Sequence, residues 1–205
     1  MMEQKRQLEE MERYAYTIFR KDATGHDFYH MKRVAKMGRK IAFEEGADPF
    51  FTEAIGWMHD IGDHKLFDEP ADAVAEAQGF LRRIGLEENV IQEIFQACRN
   101  ISFSKGRTPD TLEGKIIQDA DRLDAIGAIG IARTFAFGGA ASRLIHWPND
   151  PKHSSVQHFY DKLLKLKETL HTKTALRMAE SRHAYMQDFL NRFFEEWEMP
   201  CDDIR

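Results

Sequence analysis

Three short segments of the chain carry side chains that can hold a metal ion. Histidines and carboxylates occur within residues 25–34, 57–65 and 118–124, and each group lies in an apolar pattern typical of a helix. The middle segment is the most informative, because the mainly apolar run 54–58 leads directly into His59 and Asp60. A buried carboxylate is costly without a positive partner, so this pair indicates a bound cation.

The third segment places an acid beside another apolar face. Asp121 adjoins Ala120 and Leu123 on a helical wheel, with Asp119 and Asp124 as alternative ligands. Imidazole and carboxylate donors suit a borderline or hard divalent ion with open coordination positions, rather than a thiolate-rich structural zinc site. The sequence therefore predicts a mixed nitrogen and oxygen metal centre.

The order of these residues resembles the HD-domain superfamily of metal-dependent phosphohydrolases, whose pattern is a histidine, a distant His-Asp pair and a later aspartate. The resemblance covers about residues 20–135. His30, followed by Arg-Val-Ala, is similar to the first ligand; His59 and Asp60 match the doublet, in the form His-Asp-Ile-Gly; and Asp121, within Ala-Asp-Arg-Leu, is similar to the last. The resemblance implies that these four residues are the metal ligands.

The same resemblance bears on the number of ions. Binuclear members place further histidines between the doublet and the last aspartate, whereas here only His64 lies between Asp60 and Asp121. We therefore expect one divalent ion. Manganese, nickel, iron, cobalt or magnesium can fill such a site, and manganese is favoured.

The implied activity is the hydrolysis of a phosphoester or phosphoanhydride bond. Two neutral histidines and two carboxylates balance a divalent cation, so an incoming phosphate meets no net repulsion. Asp63 follows Asp60 by three residues, which predicts that both lie on the same helical face. The family often has an acid at this position to orient or deprotonate the attacking water. Asp63 is the predicted catalytic base; the alternatives are a helix-terminal cap or a hydrogen bond that supports a ligand.

Several basic side chains near the ligands are candidates for binding substrate phosphates. The candidates are Lys65, Arg33, Arg122, His64, His26 and Lys105. Arg33 and Arg122 can equally pair with nearby carboxylates, while His26 can cap a helix or support a ligand and His64 can be solvated. Phe135 and Phe137, with the glycines that follow them, are candidates for an apolar wall against a nucleobase or for helix-end packing.

Composition limits the possible partners. The chain has 205 residues and a formal net charge of −5, from 29 basic and 34 acidic side chains. A chain that binds polymeric nucleic acid needs a basic face, so we expect none as a partner. The sequence opens on charged residues, lacks a long apolar run and has two distant cysteines, Cys98 and Cys201. We therefore expect a reduced cytoplasmic protein that does not bind membranes.

The sequence pattern indicates that these residues lie on or beside helices. Valine is scarce and period-two alternation almost absent, which predicts an all-α, single compact domain of the HD-domain type. The predicted helices cover 3–20, 26–45, 50–62, 70–84, 87–101, 111–135, 154–171 and 174–197. The turn Gly46-Ala47-Asp48-Pro49 ends one helix and caps the next.

The domain prediction is one unit over residues 1–205, with a metal-binding core at about 20–135 and C-terminal helices at about 154–198 packed on it. The irregular stretch 138–151 is a lid or a plain connection. Phe193, Phe194 and Trp197 form a stripe that is either core or the face of a homodimer.

These features favour a hydrolase of nucleotides or similar small phosphate compounds. Within that class we favour cleavage of a nucleoside triphosphate to monophosphate and pyrophosphate, because basic groups lie beyond the metal site. The alternatives are a nucleotide phosphatase or phosphodiesterase, and a nucleotide-sensing or scaffold module without turnover.

Overall fold

The computed structural model describes residues 2–22, 25–101 and 107–198. Within these residues the chain forms α-helices and short 3₁₀ turns, with one isolated β-bridge between Leu144 and Ser154 and no strand. The helices are α1 (Met2–Phe19), α2 (Phe28–Glu45), α3 (Pro49–Met58), α4 (Pro70–Arg83), α5 (Glu88–Cys98), α6 (Leu112–Asp124), α7 (Gly127–Ala140), α8 (Gln157–Asp161) and α9 (Lys173–Trp197). The all-α prediction is confirmed.

Helix α2 lies at the centre of the packing. It contacts α3 and α6 most extensively, α1 packs on α2 and α3, and α9 packs on α2, α6 and α7. Fully buried side chains from these helices, such as Met31, Trp57 and Ile117, form the core between them. The predicted metal ligands lie on α2, at the end of α3 and on α6, so the central packing brings together residues distant in sequence.

Local capping explains where the site-bearing helices begin. Asp27 precedes α2 and accepts a hydrogen bond from the backbone N–H of His30 at 2.8 Å. Asp48 caps α3 in the same way, with Pro49 at the first helical position. Gly46 ends α2 in the left-handed conformation. The predicted turn between α2 and α3 is confirmed.

A close approach between α2 and α3 fixes the position of His59. A Cβ atom on Gly56 would lie 2.6 Å from the Cα atom of Ala35, so only glycine fits there. The carbonyl oxygen of Gly56 also accepts a hydrogen bond from Nδ1 of His59 at 2.8 Å. The contact that brings the two helices together therefore also orients the imidazole.

Three predicted elements differ from the structure. The third helix ends at Met58 rather than at residue 62, and residues 59–63 form turns. The predicted helix 111–135 is two helices, because the chain turns at Ala125 and Ile126 and Gly127 adopts φ +77°, a left-handed conformation that favours glycine. The predicted helix 154–171 is α8 followed by a 3₁₀ helix over Leu163–Thr169.

The C-terminal stripe packs mainly on the core. Phe193 and Phe194 are partly buried against it, whereas Trp197 is 47% exposed and stacks on Phe193.

Helix α7 extends to Ala140, so the irregular stretch begins later than predicted. Among the described residues no single helix is long and apolar enough to cross a membrane; α6 and α7 pass that test only as a pair bent by 70°.

Candidate metal centre and catalytic cavity

The four residues predicted as metal ligands converge at one point. Nε2 of His30 lies 3.6 Å from Oδ2 of Asp60 and 3.6 Å from Oδ1 of Asp121. Nε2 of His59 lies 3.4 Å from Oδ1 of Asp60. These contacts join α2, the turn after α3, and α6. The structure thus places the predicted residues around one small volume.

The two imidazoles present unused nitrogen atoms to that volume. Nδ1 of His30 donates to Asp124 at 2.8 Å and Nδ1 of His59 donates to Gly56, so the neutral form of each ring has its lone pair on Nε2. Both Nε2 atoms are buried without a hydrogen-bond partner. A buried polar atom of this kind needs a partner, and a divalent cation beside carboxylate oxygens supplies one.

Two overlapping sets of ligand atoms can hold an ion among the described residues. His30, His59 and Asp121 form one set, and His26, His30 and Asp60 form the other, with the atoms of each set within 4.8 Å of one another. The mixture of imidazole and carboxylate fits a divalent ion and lacks the thiolates of a structural zinc site.

The short distances between imidazoles and carboxylates shift the pKa values of these groups in the protein without an ion. Burial disfavours the charged ring of His30, but the hydrogen bond with Asp124 and the nearby carboxylate of Asp60 outweigh it and raise the pKa of His30 to about 9. Burial also opposes the charge on Asp60, but the neighbouring His59, the hydrogen bond from His26 and the nearby His30 ring hold the pKa of Asp60 well below its usual value. Without an ion, the charged ring of His30 takes the place of the cation beside the carboxylates.

His26 lies at the edge of the centre. Its Nδ1 donates to Oδ2 of Asp60 at 2.9 Å, and its side chain is 38% exposed. It lines the cavity above the acids. The structure therefore offers His26 two roles, as a support for Asp60 or as a contact for an incoming molecule.

The alternative aspartates on α6 have other partners. The two oxygens of Asp119 accept hydrogen bonds from the backbone N–H groups of His171 and Thr172 and from the Thr172 hydroxyl. Asp124 accepts from Nδ1 of His30 and from Arg33 and Arg133. Asp119 thus holds the start of α9, and Asp124 supports a proposed ligand from behind.

A cavity of about 260 Å³ opens directly on the acidic side of the centre. Asp60, Asp63 and Asp121 line it together with Lys65 and Arg122. Asp63 does not share a helical face with Asp60, because Gly62 has φ +83° and the chain turns between them. The turn nevertheless directs both carboxylates to the same cavity, and the backbone N–H of Lys65 donates to Oδ1 of Asp63 at 2.9 Å.

A second cavity of about 350 Å³ continues from the first and shares His26, Lys65, Ala125, Arg133 and Lys162 with it. None of the proposed acidic ligands lines this outer cavity. Phe137 and Gly138 do line it, whereas Phe135 contacts Phe159 and Phe189. The two aromatic candidates thus separate into one wall residue and one packing residue.

Sequence reasoning missed two cations at this site. Arg133 and Lys162 line both cavities, and burial lowers the pKa of Lys162. Arg133 carried a signal in the sequence, because it is the one charged residue of the otherwise apolar helix α7. Lys162 and His158, which lines the outer cavity, come from a segment with no motif, and only the tertiary fold brings them to the site.

Two predicted phosphate-binding residues do not line these cavities, and a third lies outside the described residues. Arg33 donates to Asp124 and lines a separate cavity. The side chain of His64 is 68% exposed and lies 3.5 Å from Asp63 without lining either cavity. Lys105 lies outside the described residues. Of the predicted group, Lys65, Arg122 and His26 line the acidic cavity.

The fold is all-α and brings a histidine, a His-Asp pair and a later aspartate together, and residues 27–126 match the HD domain family. Over 195 residues the chain is 36% identical to YpgQ of Bacillus subtilis, an alignment that covers 93% of this chain and 94% of the relative. The chain belongs to the HD-domain superfamily.

Solved structures agree with this assignment. The crystal structure of Bacillus subtilis YpgQ in complex with ADP superposes with a TM-score of 0.82 at 32% identity, covering 98% of this chain and 100% of that one. An HD-superfamily hydrolase from Bacillus thuringiensis superposes with a TM-score of 0.79 at 39% identity, covering 96% of this chain and 100% of that one. The fold is therefore that of an HD-superfamily hydrolase.

Proposed function

We propose that the chain is a metal-dependent phosphohydrolase that cleaves nucleoside triphosphates to the monophosphate and pyrophosphate. One observation carries the proposal: the unpartnered Nε2 atoms of His30 and His59 lie beside Asp60 and Asp121 at the base of a cavity with a cationic wall. The cations of that wall are Lys65, Arg122, Arg133 and Lys162. Carboxylates at the bottom of the cavity suit a divalent ion, and the cations of the wall suit a polyphosphate bound beside it.

In this proposal His30, His59, Asp60 and Asp121 hold one divalent ion, with manganese as the favoured metal. When bound, such an ion polarises the phosphoryl group and lowers the pKa of water towards neutrality. Asp124 keeps His30 in the tautomer that presents Nε2, and Gly56 does the same for His59. These contacts fix the orientation of both imidazoles before any ion arrives.

Asp63 acts as the proton acceptor. Its Oδ1 atom already accepts the backbone N–H of Lys65, which holds the carboxylate in the cavity and leaves Oδ2 for a water proton. The side chain is only 11% exposed, so bulk water does not surround it. Asp63 is therefore positioned to orient and deprotonate a water molecule beside the substrate.

The cations bind and orient the phosphate chain. Lys65, Arg133 and Lys162 line both the acidic and the outer cavity, so they provide a continuous positive surface between the two. The outer cavity has the size of a small-molecule site and includes the exposed ring of Phe137, which suits the nucleoside end. YpgQ, which shares this fold, has been crystallised with ADP.

A panel of nucleoside mono-, di- and triphosphates tests the proposal, with manganese added and the metal content of chelator-free protein measured in parallel. We expect pyrophosphate and monophosphate from triphosphates. Orthophosphate from monophosphates alone would identify a phosphatase instead. Binding of nucleotides by metal-loaded protein with no turnover would identify a sensing module.

A further inference from the structure

A third cavity, separate from the metal centre, has the chemistry of an anion-binding site. It has a volume of about 580 Å³ and lies between α2, the start of α7, and α9. Four cationic side chains surround it, namely Arg33, Lys36, Lys40 and Arg182. We call it the Arg182 cavity. Neither Asp60 nor Asp121 lines it; its one acidic lining residue is Asp124, the carboxylate that contacts Nδ1 of His30.

The positive charge of the Arg182 cavity is only partly neutralised. Arg33 pairs with Asp124 at 2.6 Å, but Arg133 shares that carboxylate. Lys36 pairs with Glu53 at 2.6 Å and lies 3.8 Å from Glu12, but Arg39 shares Glu53 and Lys32 shares Glu12. Each of these acids therefore faces two cations.

The other two cations of the cavity form no ion pair with a carboxylate in the part of the chain described. Arg182 is half-buried and donates to the carbonyl of Leu123 and towards the sulfur of Met37. Lys40 is exposed at the rim. An excess of positive charge in a concave surface, within a chain of net charge −5, attracts an anion.

The floor of the cavity is apolar. Met37, Ile126, Ile129 and Met178 line it, and Ile129 is 44% exposed. Isoleucine and methionine side chains give a flat apolar group a surface to cover, and methionine adapts readily to the shape of such a group. A compound that carries both phosphate and a flat ring can contact the cations with its phosphate and the apolar side chains with its ring.

We propose that the Arg182 cavity is a second binding site, for a nucleoside phosphate whose phosphates contact Lys40 and Arg182 and whose base covers the floor. The spacing of Arg33, Lys36, Met37 and Lys40 places them on one face of α2, which gives the site a rigid wall. The cavity contains none of the four proposed metal ligands, and the proposal does not require the chain to be a hydrolase.

Methionine methyl groups provide a direct readout. Met37 and Met178 line the Arg182 cavity, whereas no methionine lines the two cavities at the metal centre. The full chain is labelled with ¹³C-methyl methionine and kept metal-free with a chelator, and ADP is the probe. The two signals are assigned through Met37→Leu and Met178→Leu. We expect both to shift and to saturate as ADP is added.

Charge reversal then locates the phosphates. Lys40→Glu should weaken the ADP affinity read from these signals by about tenfold or more, because the exposed side chain opposes the phosphates after substitution. Lys152→Glu, which makes the same change at an exposed position outside every cavity described above, should leave the titration unchanged. Thermal unfolding of both variants verifies that each is folded.

Three outcomes would overturn the proposal. The first is that the Met37 and Met178 signals stay in place at saturating ADP. The second is that they shift equally in the Lys40→Glu variant, which would trace the change to the metal-centre cavities. The third is that inorganic pyrophosphate reproduces both the shifts and the affinity of ADP, which would remove the role assigned to the apolar floor. We expect pyrophosphate to bind several-fold more weakly.

Discussion

The carboxylate of Asp124 accepts a hydrogen bond from Nδ1 of His30 at 2.8 Å, although 94 residues separate them in the chain. Arg33 and Arg133 donate to the same carboxylate at 2.6 and 2.8 Å. Burial alone would raise the pKa of Asp124, but the hydrogen bonds from His30 and Arg33 hold that pKa well below its usual value. A permanent carboxylate therefore lies behind the imidazole and directs Nε2 towards Asp60 and Asp121.

Replacing this carboxylate should weaken metal binding. In Asp124→Asn the amide is a poorer acceptor for His30 and can turn its NH₂ group towards the ring, so the orientation of Nε2 is lost. We expect an affinity for manganese about 10- to 100-fold lower, measured by titration with a competing chelator. Asp188→Asn, an exposed change on α9, is the control. Unchanged affinity in Asp124→Asn would contradict the supporting role.

The carboxylate of Asp124 should also make the free energy of unfolding depend on pH. A pKa held below its unfolded value of about 3.9 stabilises the fold above that value, and this contribution is lost as pH falls towards the folded pKa. At pH 7 the free energy of unfolding should therefore be larger for the native protein than for Asp124→Asn. The difference should shrink below about pH 4. Urea unfolding of the metal-free proteins at several pH values measures it, and a constant difference would refute the argument.

Metal binding itself should strengthen with pH. His30 has a pKa of about 9 without an ion, and a metal needs the neutral ring. Below pH 9 binding must release that proton, so affinity should rise by up to about tenfold per pH unit as pH approaches 9 and then level off. The stability of the metal-free fold should move the other way, because the contribution of the raised His30 pKa is lost as pH rises through 9. Calorimetric titrations in buffers of different ionisation enthalpy count the released proton.

Much of this site is predictable because its residues are close in sequence to clear helix signals. The Asp48-Pro49 start of α3 and the apolar run behind His59 are local features, and they indicate the position of the His-Asp pair from the sequence alone. The end of α3 at Met58 differs from the prediction, because the left-handed Gly62 and the turns before it override the helical pattern. Asp63 still lines the cavity with Asp60, but a turn places it there and not a shared helical face.

The missed features are those that only tertiary packing creates. Asp124 is one of three similar acids on one helix, and no local signal shows that it faces His30 while Asp119 faces the start of α9. Arg133 enters the site because α6 and α7 meet at a bend of 70°, which the prediction of one continuous helix excluded. Such contacts depend on angles between helices, and local propensity does not encode them.

Asp119 and Asp121 provide a matched pair for the ligand assignment, since they lie two residues apart on α6. Asp121→Asn should reduce metal binding severely while the fold persists, because its side chain is 25% exposed and faces the cavity. Asp119→Asn should keep its metal affinity but lower the free energy of unfolding by about 1–3 kcal/mol, because buried donors at residues 171 and 172 lose a charged acceptor. Metal titration and urea unfolding of both variants separate the two roles, and the reverse pattern would reassign the ligand.

Asp63→Asn tests the proposed proton acceptor. The amide oxygen can still accept the backbone N–H of Lys65, so the turn should remain intact, but an amide cannot take a proton from water at neutral pH. We expect kcat to fall about 10²- to 10⁴-fold while KM and the affinity for manganese stay close to those of the native protein. Asp68→Asn, an exposed change in the same segment, should leave all three quantities unchanged. If Asp63→Asn instead lowers metal affinity and activity in parallel, the carboxylate supports the metal ligands and another group accepts the proton.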